Sequence, residues 1–421
     1  MIGGESPMSG NRTILLLSAT ESFITKARNL GLDVVHVEAP TIANPALRDL
    51  CVESLTGDVL DVPAMVEVGR SLHERYGFVG AISNHEPACA AAEAIALDLG
   101  LPAAGVGVTA LLKDKIATRA RLAGHPVLDT PWAEIADEED LPAAVERLGY
   151  PLIVKPSAAA SSMGVVRLAG PDDLTAAVAE IRQLLRNEHP YADLLPVDRF
   201  IAEPFIAGNE YSVDTFTRNG KHTILAIILK VNEPGTCVET GHLIPAPLDA
   251  DVQMAIGSLV IEFLDRVGLR EGPAHTEVIT GSDGPYLMES HARTSGDELP
   301  ELTWLIGGRN AEVDMLAHFA NLDPPAAVPP AAPAAARIYV PPPGAGRIRA
   351  IEGEAEARAV AGVRSLELYV KPGDETPGLT ASWNRCAALV TTADTAAQAW
   401  EIAQRAASLI RIHMDDGSTA C

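Results

Sequence analysis

The sequence has few aromatic and few basic side chains. Phe, Trp and Tyr make up 4% of the 421 residues, and 32 Lys and Arg stand against 56 Asp and Glu, which gives a formal charge of −24. Such an excess of negative charge argues against a protein that binds nucleic acid or an anionic membrane over a broad surface. It is compatible with a local basic pocket for a small anion.

Cysteine is also scarce. The five cysteines, Cys51, Cys89, Cys237, Cys386 and Cys421, form no closely spaced pair and are odd in number. This pattern excludes a disulfide framework and a zinc knuckle, and it is typical of a protein of the reducing cytoplasm.

Long apolar runs are absent too, so no membrane span is predicted. The first residues, MIGGESPMSGNR, are a polar tail, and the apolar stretch TILLLSAT that follows is too short for a signal peptide. We therefore expect a cytoplasmic location and no membrane partner. The P-loop, zinc-protease and nucleophile-elbow motifs are missing as well.

The elements that are present divide the chain into five parts. Apolar strands at 12–19, 34–39 and 78–83 alternate with helical segments such as EPACAAAEAIALDLGL, which predicts an open parallel α/β domain over residues 11–110. Residues 111–198 mix a helix (LLKDKIATRARLAG), two strands and a further helix. Residues 199–322 read as antiparallel strands, with a turn at Asn219-Gly220. The Pro/Ala stretch at 323–336 is predicted to be a linker that forms neither helix nor central strand. A small α+β module at 337–415 ends in a helix from Asp394 to Arg411.

One predicted hairpin carries an unusual pair of acidic residues. In TEVITGSDGPYLMESHAR the turn signal is Ser282-Asp283-Gly284, with alternating apolar residues on both sides. A turn centred on Asp283 places Glu277 opposite Glu289. Like charges in this position destabilise a sheet, so we expect a cation between them.

A second segment, YPLIVKPSAAASSMGVVRLAG, pairs a lysine with a loop of small residues. Lys155 ends an apolar strand, where a lysine is costly unless an anion accompanies it. The small residues Ser157–Gly164 that follow let backbone N–H groups approach phosphate oxygens. The alternative is a surface turn from which Lys155 extends to solvent.

Together these segments resemble the ATP-grasp superfamily of carboxylate–amine ligases, from about Lys113 to Arg293. The resemblance implies an ATP-grasp fold with an N-terminal parallel α/β domain, a two-lobed ATP-grasp domain (111–198 and 199–322) and a small C-terminal α+β module. It implies that Lys115 and Lys155 contact phosphates and that residues 157–164 are a mobile phosphate loop. The ATP contacts that it assigns beyond the two lysines are Ser161, Ser162, Met163, Gly164, Glu203, Pro204, Phe205, Ile206 and Glu210.

The same resemblance answers the question of the paired glutamates. Glu277 and Glu289 match the two acidic ligands of catalytic magnesium, with two ions expected and Mn²⁺ as a substitute. Arg293 follows them on the same strand face, toward the transferred phosphate. The third ligand of the family is usually an asparagine, and here His291 takes that place. Imidazole is a poorer magnesium ligand, so a supporting role or a substrate contact for His291 stays open.

Within the superfamily the sequence is most similar to the L-amino-acid (dipeptide) ligases. VETGHLIPAPL, the pattern ESHAR…GD and the last module carry this similarity. It implies substrate-facing roles for Glu239 and His242, for which an ordinary polar loop is the alternative. Lys230 is expected either to reach the reacting phosphate or to lie on the surface of an edge strand.

The predicted activity is the ATP-dependent joining of a small carboxylate, an amino acid, to an amine through an acyl phosphate. The partners are then small molecules rather than nucleic acid, and a homodimer is expected. Two alternatives remain: transfer of an activated amino acid to a carrier-protein thiol, and a nucleotide-binding protein without catalysis. A biotin-carboxylase-like enzyme is disfavoured because loop 157–164 lacks a glycine-rich run.

Overall fold

A parallel sheet forms the first domain, as the sequence predicts. The computed structural model describes residues 12–189 and 191–420. Cys421 and the predicted polar tail, apart from Arg12, lie outside them. The sheet has the order β3-β2-β1-β4, and all its pairings are parallel. Its elements are β1 (Arg12–Leu17), α1 (Glu21–Asn29), β2 (Leu32–Glu38), β3 (Glu53–Thr56), α2 (Val62–Tyr76), β4 (Phe78–Ile82) and α3 (Glu86–Asp98).

The helix predicted from LLKDKIATRARLAG is two helices. α4 (Val108–Lys113) ends before Asp114, and α5 (Lys115–Leu122) begins after it. The Asp114 carboxylate accepts hydrogen bonds from the backbone N–H groups of Ile116 and Ala117, at 2.9 and 3.2 Å. This cap fixes the start of a new helix. The apolar pattern continues through both helices, so the pattern alone did not predict the break.

The small lobe is a four-stranded antiparallel sheet of order β5-β8-β6-β7. Its elements are β5 (Ala133–Ile135), α6 (Leu141–Leu148), β6 (Leu152–Pro156), β7 (Val166–Leu168), α7 (Leu174–Leu185) and β8 (Phe200–Pro204). The predicted boundaries at 111 and 198 are both displaced. α4 and α5 bury Leu112 and Leu122 in the core of the large lobe, and β8 hydrogen-bonds into the small sheet.

The large lobe continues with long antiparallel strands. Its elements are β9 (Asn209–Arg218), β10 (Lys221–Asn232), β11 (Glu239–Ile244), α8 (Ala250–Val267), β12 (Gly272–Gly281), β13 (Gly284–His291), α9 (Leu299–Gly307) and α10 (Ala311–Phe319). α8 covers one face of these strands with the buried side chains of Ile256, Val260 and Phe263. The opposite face of these strands is turned toward the small lobe, and the candidate site lies between the two lobes.

The C-terminal module is built onto the same sheet. Its elements are β14 (Ala334–Val340), β15 (Ala345–Glu352), α11 (Glu354–Arg358), β16 (Val363–Leu368), β17 (Glu375–Pro377), β18 (Ala387–Ala393), α12 (Ala396–Ala407), β19 (Arg411–Met414) and β20 (Thr419–Ala420). Three of its strands extend the large lobe into an eight-stranded sheet of order β13-β12-β9-β10-β11-β14-β18-β16. The others form a four-stranded sheet of order β17-β15-β19-β20.

Two predictions for this region are wrong. Ala334–Ala336, assigned to the linker, begin β14, which lies between β11 and β18 as a central strand. The last proline, Pro333, precedes the strand, so every residue of β14 can donate a ladder hydrogen bond. The closing helix spans Ala396–Ala407 rather than 394–411, and Arg411 opens strand β19.

The described residues also bear on the cysteines and on membrane-spanning helices. Cys51, Cys89, Cys237 and Cys386 are free thiols. Over residues 12–189 and 191–420, no helix has both the length and the apolar character needed to cross a bilayer.

Candidate active site

The hairpin of β12 and β13 brings the two predicted glutamates together. Glu277 pairs with Glu289 across the strands, as predicted, and His275 pairs with His291. The register then shifts by one residue, so that Val278 pairs with Leu287 and Met288 forms a bulge. The turn is therefore centred between Ser282 and Asp283 rather than on Asp283, and the bulge restores the predicted pairing at the carboxylates.

Each of these glutamates has its own lysine. The Lys115 Nζ lies 3.0 Å from Glu289 Oε2, and the Lys230 Nζ lies 2.8 Å from Glu277 Oε1. Burial disfavours the charged form of Glu277, but Lys230 and a hydrogen bond from His275 outweigh it and lower its pKa to about 2. Burial is likewise outweighed at Glu289, chiefly by Lys115, which holds the pKa of this carboxyl well below its ordinary value. The expected cationic compensation is thus supplied within the chain.

A second ion-pair cluster surrounds Glu203 on β8. The Lys155 Nζ lies 3.0 Å from Glu203 Oε2, and the Arg119 Nε lies 2.5 Å from Glu203 Oε1. Although burial opposes ionisation, these two cations lower the pKa of Glu203 to about 2. Lys155 is 7% exposed, so the alternative in which it extends to solvent is wrong.

Arg119 is a site residue that the sequence reasoning missed. Besides Glu203, its guanidinium donates to the carbonyl oxygens of Leu287 and Met288 at 2.9 and 3.2 Å. It therefore joins α5, the small lobe and the bulge of the glutamate hairpin. A signal was available, because Arg119 stands four residues after Lys115 and so shares its helix face.

Lys230 is the centre of a third cluster, in which carboxylates are in excess. Its Nζ lies 2.6 Å from Glu239 Oε1, 2.8 Å from Glu277 Oε1 and 3.9 Å from Glu210 Oε2. Burial is overcome by these carboxylates, which raise the pKa of Lys230 well above its ordinary value. At Glu210, by contrast, burial dominates and raises the pKa of the carboxyl. Since β10 is a central strand and Lys230 is buried, the edge-strand alternative is wrong.

The small-residue loop after β6 packs over these clusters. Ser161 and Ser162 have positive φ angles of 59° and 58°. The Ser162 Oγ donates to the Cys237 carbonyl at 2.8 Å, and the Lys115 Nζ donates to the Ala159 carbonyl at 3.2 Å. At Gly164, with φ of 68°, a Cβ would lie 2.5 Å from Leu184 Cδ1, so only glycine fits without a shift.

One cavity connects the three clusters and the loop. Most of the predicted residues line it: Lys115, Lys155, Ser161, Ser162, Met163, Glu203, Pro204, Phe205, Ile206, Glu210, Lys230, Glu239, Glu277 and Glu289. Gly164 does not. Apolar side chains that were not predicted, such as Ile153, Ile279 and Leu287, also line it. The lining thus combines apolar side chains with strongly charged ones, as a nucleotide requires.

His291 and Arg293 lie beside the cavity rather than in its wall. The Arg293 Nε donates to Glu86 Oε2 at 2.5 Å, and the His291 Nδ1 lies 3.0 Å from the same oxygen. The other His291 nitrogen lies 3.2 Å from Glu289 Oε1. Burial raises the pKa of Glu86, but His291 and Arg293 reverse this and hold it far below its ordinary value. Glu86, at the start of α3, was not predicted, and it ties the first domain to the hairpin.

His242 is held by a pair of residues that were also missed. Its Nε2 lies 3.2 Å from Asp297 Oδ2, and Arg385 of the C-terminal module binds both oxygens of Asp297, at 2.9 and 2.5 Å. Burial is outweighed by His242 and Arg385, which hold the pKa of Asp297 well below its ordinary value. His242 is buried, and its neighbour Glu239 faces the cavity.

The described residues contain no group of three or more His, Cys, Asp or Glu side chains arranged to hold a metal ion by themselves. Glu277 and Glu289 nevertheless offer hard oxygen donors from opposite strands to one cavity. Magnesium takes such a pair when phosphate oxygens and water complete its shell. The donor set therefore fits Mg²⁺ that arrives with a nucleotide.

Comparison with known proteins places this architecture in a class. The ATP-grasp domain family matches residues 148–300. The L-amino acid ligase of Bacillus licheniformis has the same fold, with a TM-score of 0.82 at 21% identity, over 96% of this chain and 99% of that one. The protein therefore has the ATP-grasp fold, as predicted, and it contains an ATP-grasp domain.

A second match is more particular. The family described as L-amino acid ligase C-terminal domain 2 matches residues 338–415. Two segments of the chain thus match two families: residues 148–300 match an ATP-grasp domain, and residues 338–415 match a C-terminal domain of L-amino acid ligases.

Similar sequences are themselves named as ligases. D-alanine–D-alanine ligase of Cupriavidus taiwanensis is 29% identical over 230 residues, which cover 52% of this chain and 63% of that protein. Alanine–anticapsin ligase of Bacillus subtilis is 28% identical over 223 residues, which cover 50% of this chain and 47% of that protein. The matched regions thus span about half to two thirds of these relatives.

Proposed function

We propose that the protein is an ATP-dependent carbon–nitrogen ligase. It joins a small carboxylate, an amino acid, to an amine, and releases ADP and phosphate. The observation that carries the proposal is the cavity itself, which places the glutamate pair of the hairpin opposite lysines from two lobes and beside Glu239. The similarity to enzymes named as amino-acid ligases supports it.

The reaction has two steps. An oxygen of the substrate carboxylate attacks the γ-phosphorus of ATP and ADP leaves, which gives an acyl phosphate. The amine nitrogen then attacks the acyl carbon, phosphate leaves and the nitrogen loses a proton. Lys115 and Lys155, which line the cavity, neutralise charge on the phosphoryl oxygens, which is most of what such a transfer requires. Arg293 joins them only if it leaves Glu86, to which it is bound beside the cavity. Loop 157–164 closes over the phosphates, because acyl phosphates are readily lost to water.

Glu277 and Glu289 hold Mg²⁺ in this proposal, with two ions expected and Mn²⁺ as a substitute. When bound, the metal neutralises phosphate charge and orients the transferred group. Lys115 and Lys230 compensate the same carboxylates when no metal is bound. The charges of Glu277 and Glu289 can therefore be balanced either by these lysines or by a metal ion. His291 holds Glu289 from behind rather than serving as a third ligand, because both of its nitrogens already face carboxylates.

The remaining residues divide between the two substrates. Glu203–Ile206 border the adenine and Glu210 binds the ribose hydroxyls. Glu239 binds the ammonium group of the amino acid that supplies the amine, and His242 supports that end of the cavity. We further propose a cytoplasmic homodimer, which light scattering of the purified protein tests.

The decisive experiment is a substrate screen. Phosphate release is measured over pairs of amino acids and other small acids and amines, and the products are identified by mass spectrometry. We expect ADP formation that requires both substrates, together with a product whose mass is that of the amide. ATP consumption with only a thioester on an added carrier protein, or nucleotide binding without turnover for any pair, contradicts the proposal.

A further inference from the structure

A short turn of the C-terminal module contacts residues of both lobes that line the cavity. The turn comprises residues 381–385, and its middle forms one turn of 3₁₀ helix, Ser382–Asn384. It follows β17 and precedes β18, so it belongs to the module and not to the ATP-grasp lobes. We call it the 381–385 turn.

On the small-lobe side, the 381–385 turn touches the phosphate loop and its support. The Ser382 N–H donates to the Ser161 carbonyl at 3.4 Å, within the loop that covers the lysines. The Trp383 ring lies against the Tyr191 ring, with centroids 4.7 Å apart and planes tilted by 56°. Tyr191 in turn packs on the apolar core that the small lobe shares with the first domain. The turn is therefore attached to the lobe that carries the loop.

On the large-lobe side, the turn holds Glu239. The Ser382 Oγ donates to Glu239 Oε2 at 3.2 Å, while Lys230 contacts Oε1 at 2.6 Å, so both carboxylate oxygens are oriented. Arg385 donates to the Glu239 carbonyl at 3.4 Å and binds Asp297 with both of its terminal nitrogens. Its guanidinium also lies 3.6 Å above the centre of the Tyr339 ring.

We propose that the 381–385 turn couples closure of the phosphate loop to the position of Glu239. Ser382 is the link, since its N–H contacts the loop and its hydroxyl contacts the carboxylate that receives the amine. Trp383 keeps Ser382 in place through Tyr191. Ser382 and Trp383 are thus positioning residues for the amine that attacks the acyl phosphate. This inference rests on the proposed function.

The consequence concerns where the acyl phosphate goes. With the turn docked, the amine is held beside Glu239 and reaches the acyl carbon before water does. With the turn displaced, the acyl carbon is attacked by water, which regenerates the carboxylic acid and releases phosphate, so that ATP is consumed without amide.

The test uses Trp383→Ala in the full chain, with ADP and amide measured in the same samples. Trp383 is 38% exposed, so the variant is expected to fold. Loss of an aromatic contact of this kind should raise the ratio of ADP to amide up to about tenfold, and the KM for the amine by a similar factor. The KM for ATP should change by no more than about twofold. Trp383→Phe should restore the wild-type ratio.

Trp304→Ala is the matched control, because Trp304 is 41% exposed on α9 and lies outside the cavity wall. It should leave the ratio and both KM values unchanged. A Trp383→Ala enzyme that makes one amide per ADP with an unchanged KM for the amine overturns the inference.

A second measurement separates this inference from the proposed function. Backbone hydrogen exchange is followed at residues 158–164 and 381–385, with and without a non-hydrolysable ATP analogue. Both segments should become protected together in the wild type, and 381–385 should lose this response in Trp383→Ala. Protection of 158–164 alone in the wild type rejects the coupling, whether or not any amide is formed. Failure of every substrate pair, with joint protection retained, rejects the ligase assignment and leaves the coupling standing.

Discussion

The two charged ends of the cavity are built on opposite plans. Around Glu203 and Glu289, two carboxylates face three cations, which are Lys115, Lys155 and Arg119. Around Lys230, this one lysine faces Glu210, Glu239 and Glu277, and the His275 Nε2 lies 3.4 Å from Glu277 Oε1. All these groups are largely buried, and buried charges are tolerated only when they are paired. Every charge at either end therefore has a partner of opposite sign without a ligand. The first end keeps an excess of cations, and the second end keeps an excess of carboxylates.

This difference indicates what each end can accept. The excess cations of the cation-rich end would be neutralised by an incoming polyanion such as a triphosphate. The carboxylate-rich end gains from incoming positive charge, which a divalent metal and a substrate ammonium would supply. The hairpin crosses from one end to the other, since Glu289 belongs to the first and Glu277 to the second. The predictions below disturb one end at a time.

The largest effect is expected for Glu289→Ala, which removes the hairpin carboxylate at the cation-rich end. Glu277 alone cannot hold two metal ions against a triphosphate, so kcat should fall on the order of 10³-fold. The fold should remain but lose stability, because buried Lys115 loses its paired carboxylate, and removal of the like charge opposite Glu277 offsets only part of this loss. ADP formation and circular dichroism measure the two outcomes. Glu356→Ala, at an exposed position of α11, is the control, and turnover near the wild-type rate in Glu289→Ala rejects the metal assignment.

Lys230→Met tests the carboxylate-rich end without substrate. Three buried carboxylates then lose their shared cation, and the free energy of unfolding should fall by about 3 kcal/mol. Mg²⁺ or Mn²⁺ should recover part of this loss, because either ion replaces the missing charge. Chemical denaturation with and without metal measures both. Lys221→Met, at the exposed start of the same strand, should change neither. If Lys230→Met is as stable as the wild type, Lys230 is not the cation that stabilises these three carboxylates.

Lys155→Met is the corresponding change at the cation-rich end. Arg119 continues to pair with Glu203, so the stability loss should be smaller than that of Lys230→Met. Affinity for ATP should fall roughly 30-fold, since a charge-assisted phosphate contact is removed. Added metal should not rescue stability here, in contrast with Lys230→Met. Nucleotide titration decides, with the exposed Lys371→Met as control; full affinity for ATP rejects the phosphate role.

The sequence predicted local features of this site better than its long-range pairs. The hairpin register at Glu277 and Glu289 follows from a turn signal and the two-residue period of strands, which act over a few residues. The bulge at Met288 was not predicted; the carbonyl groups of Leu287 and Met288 accept hydrogen bonds there from Arg119, which comes 168 and 169 residues earlier in the chain. The pairs Arg119–Glu203 and Arg385–Asp297 join residues 84 and 88 positions apart, so only the packed lobes create them.

The helix break and the C-terminal sheet show the same limit. The apolar pattern through 111–122 has a helical period, and only the cap formed by Asp114 separates α4 from α5. Ala334–Ala336 continue an alanine- and proline-rich stretch, and their composition gives no strand signal. They form a central strand because β11 and β18 offer hydrogen-bonding edges on both sides. Tertiary pairing decided the structure at both places.

The smallest effect is expected for Glu239→Gln, which keeps the shape of the carboxylate-rich end and removes one charge. Lys230 retains Glu277 at 2.8 Å, so stability should change little. An ammonium group at this position loses a charged partner, and the KM of the amino-acid substrate should rise about fivefold, with the KM of ATP nearly constant. Steady-state kinetics with each substrate varied in turn measures the difference. Glu367→Gln, on exposed strand β16 of the same sheet, should change neither value. Equal KM changes for ATP and amine place Glu239 in the nucleotide site instead, and the carboxylate-rich end then serves metal alone.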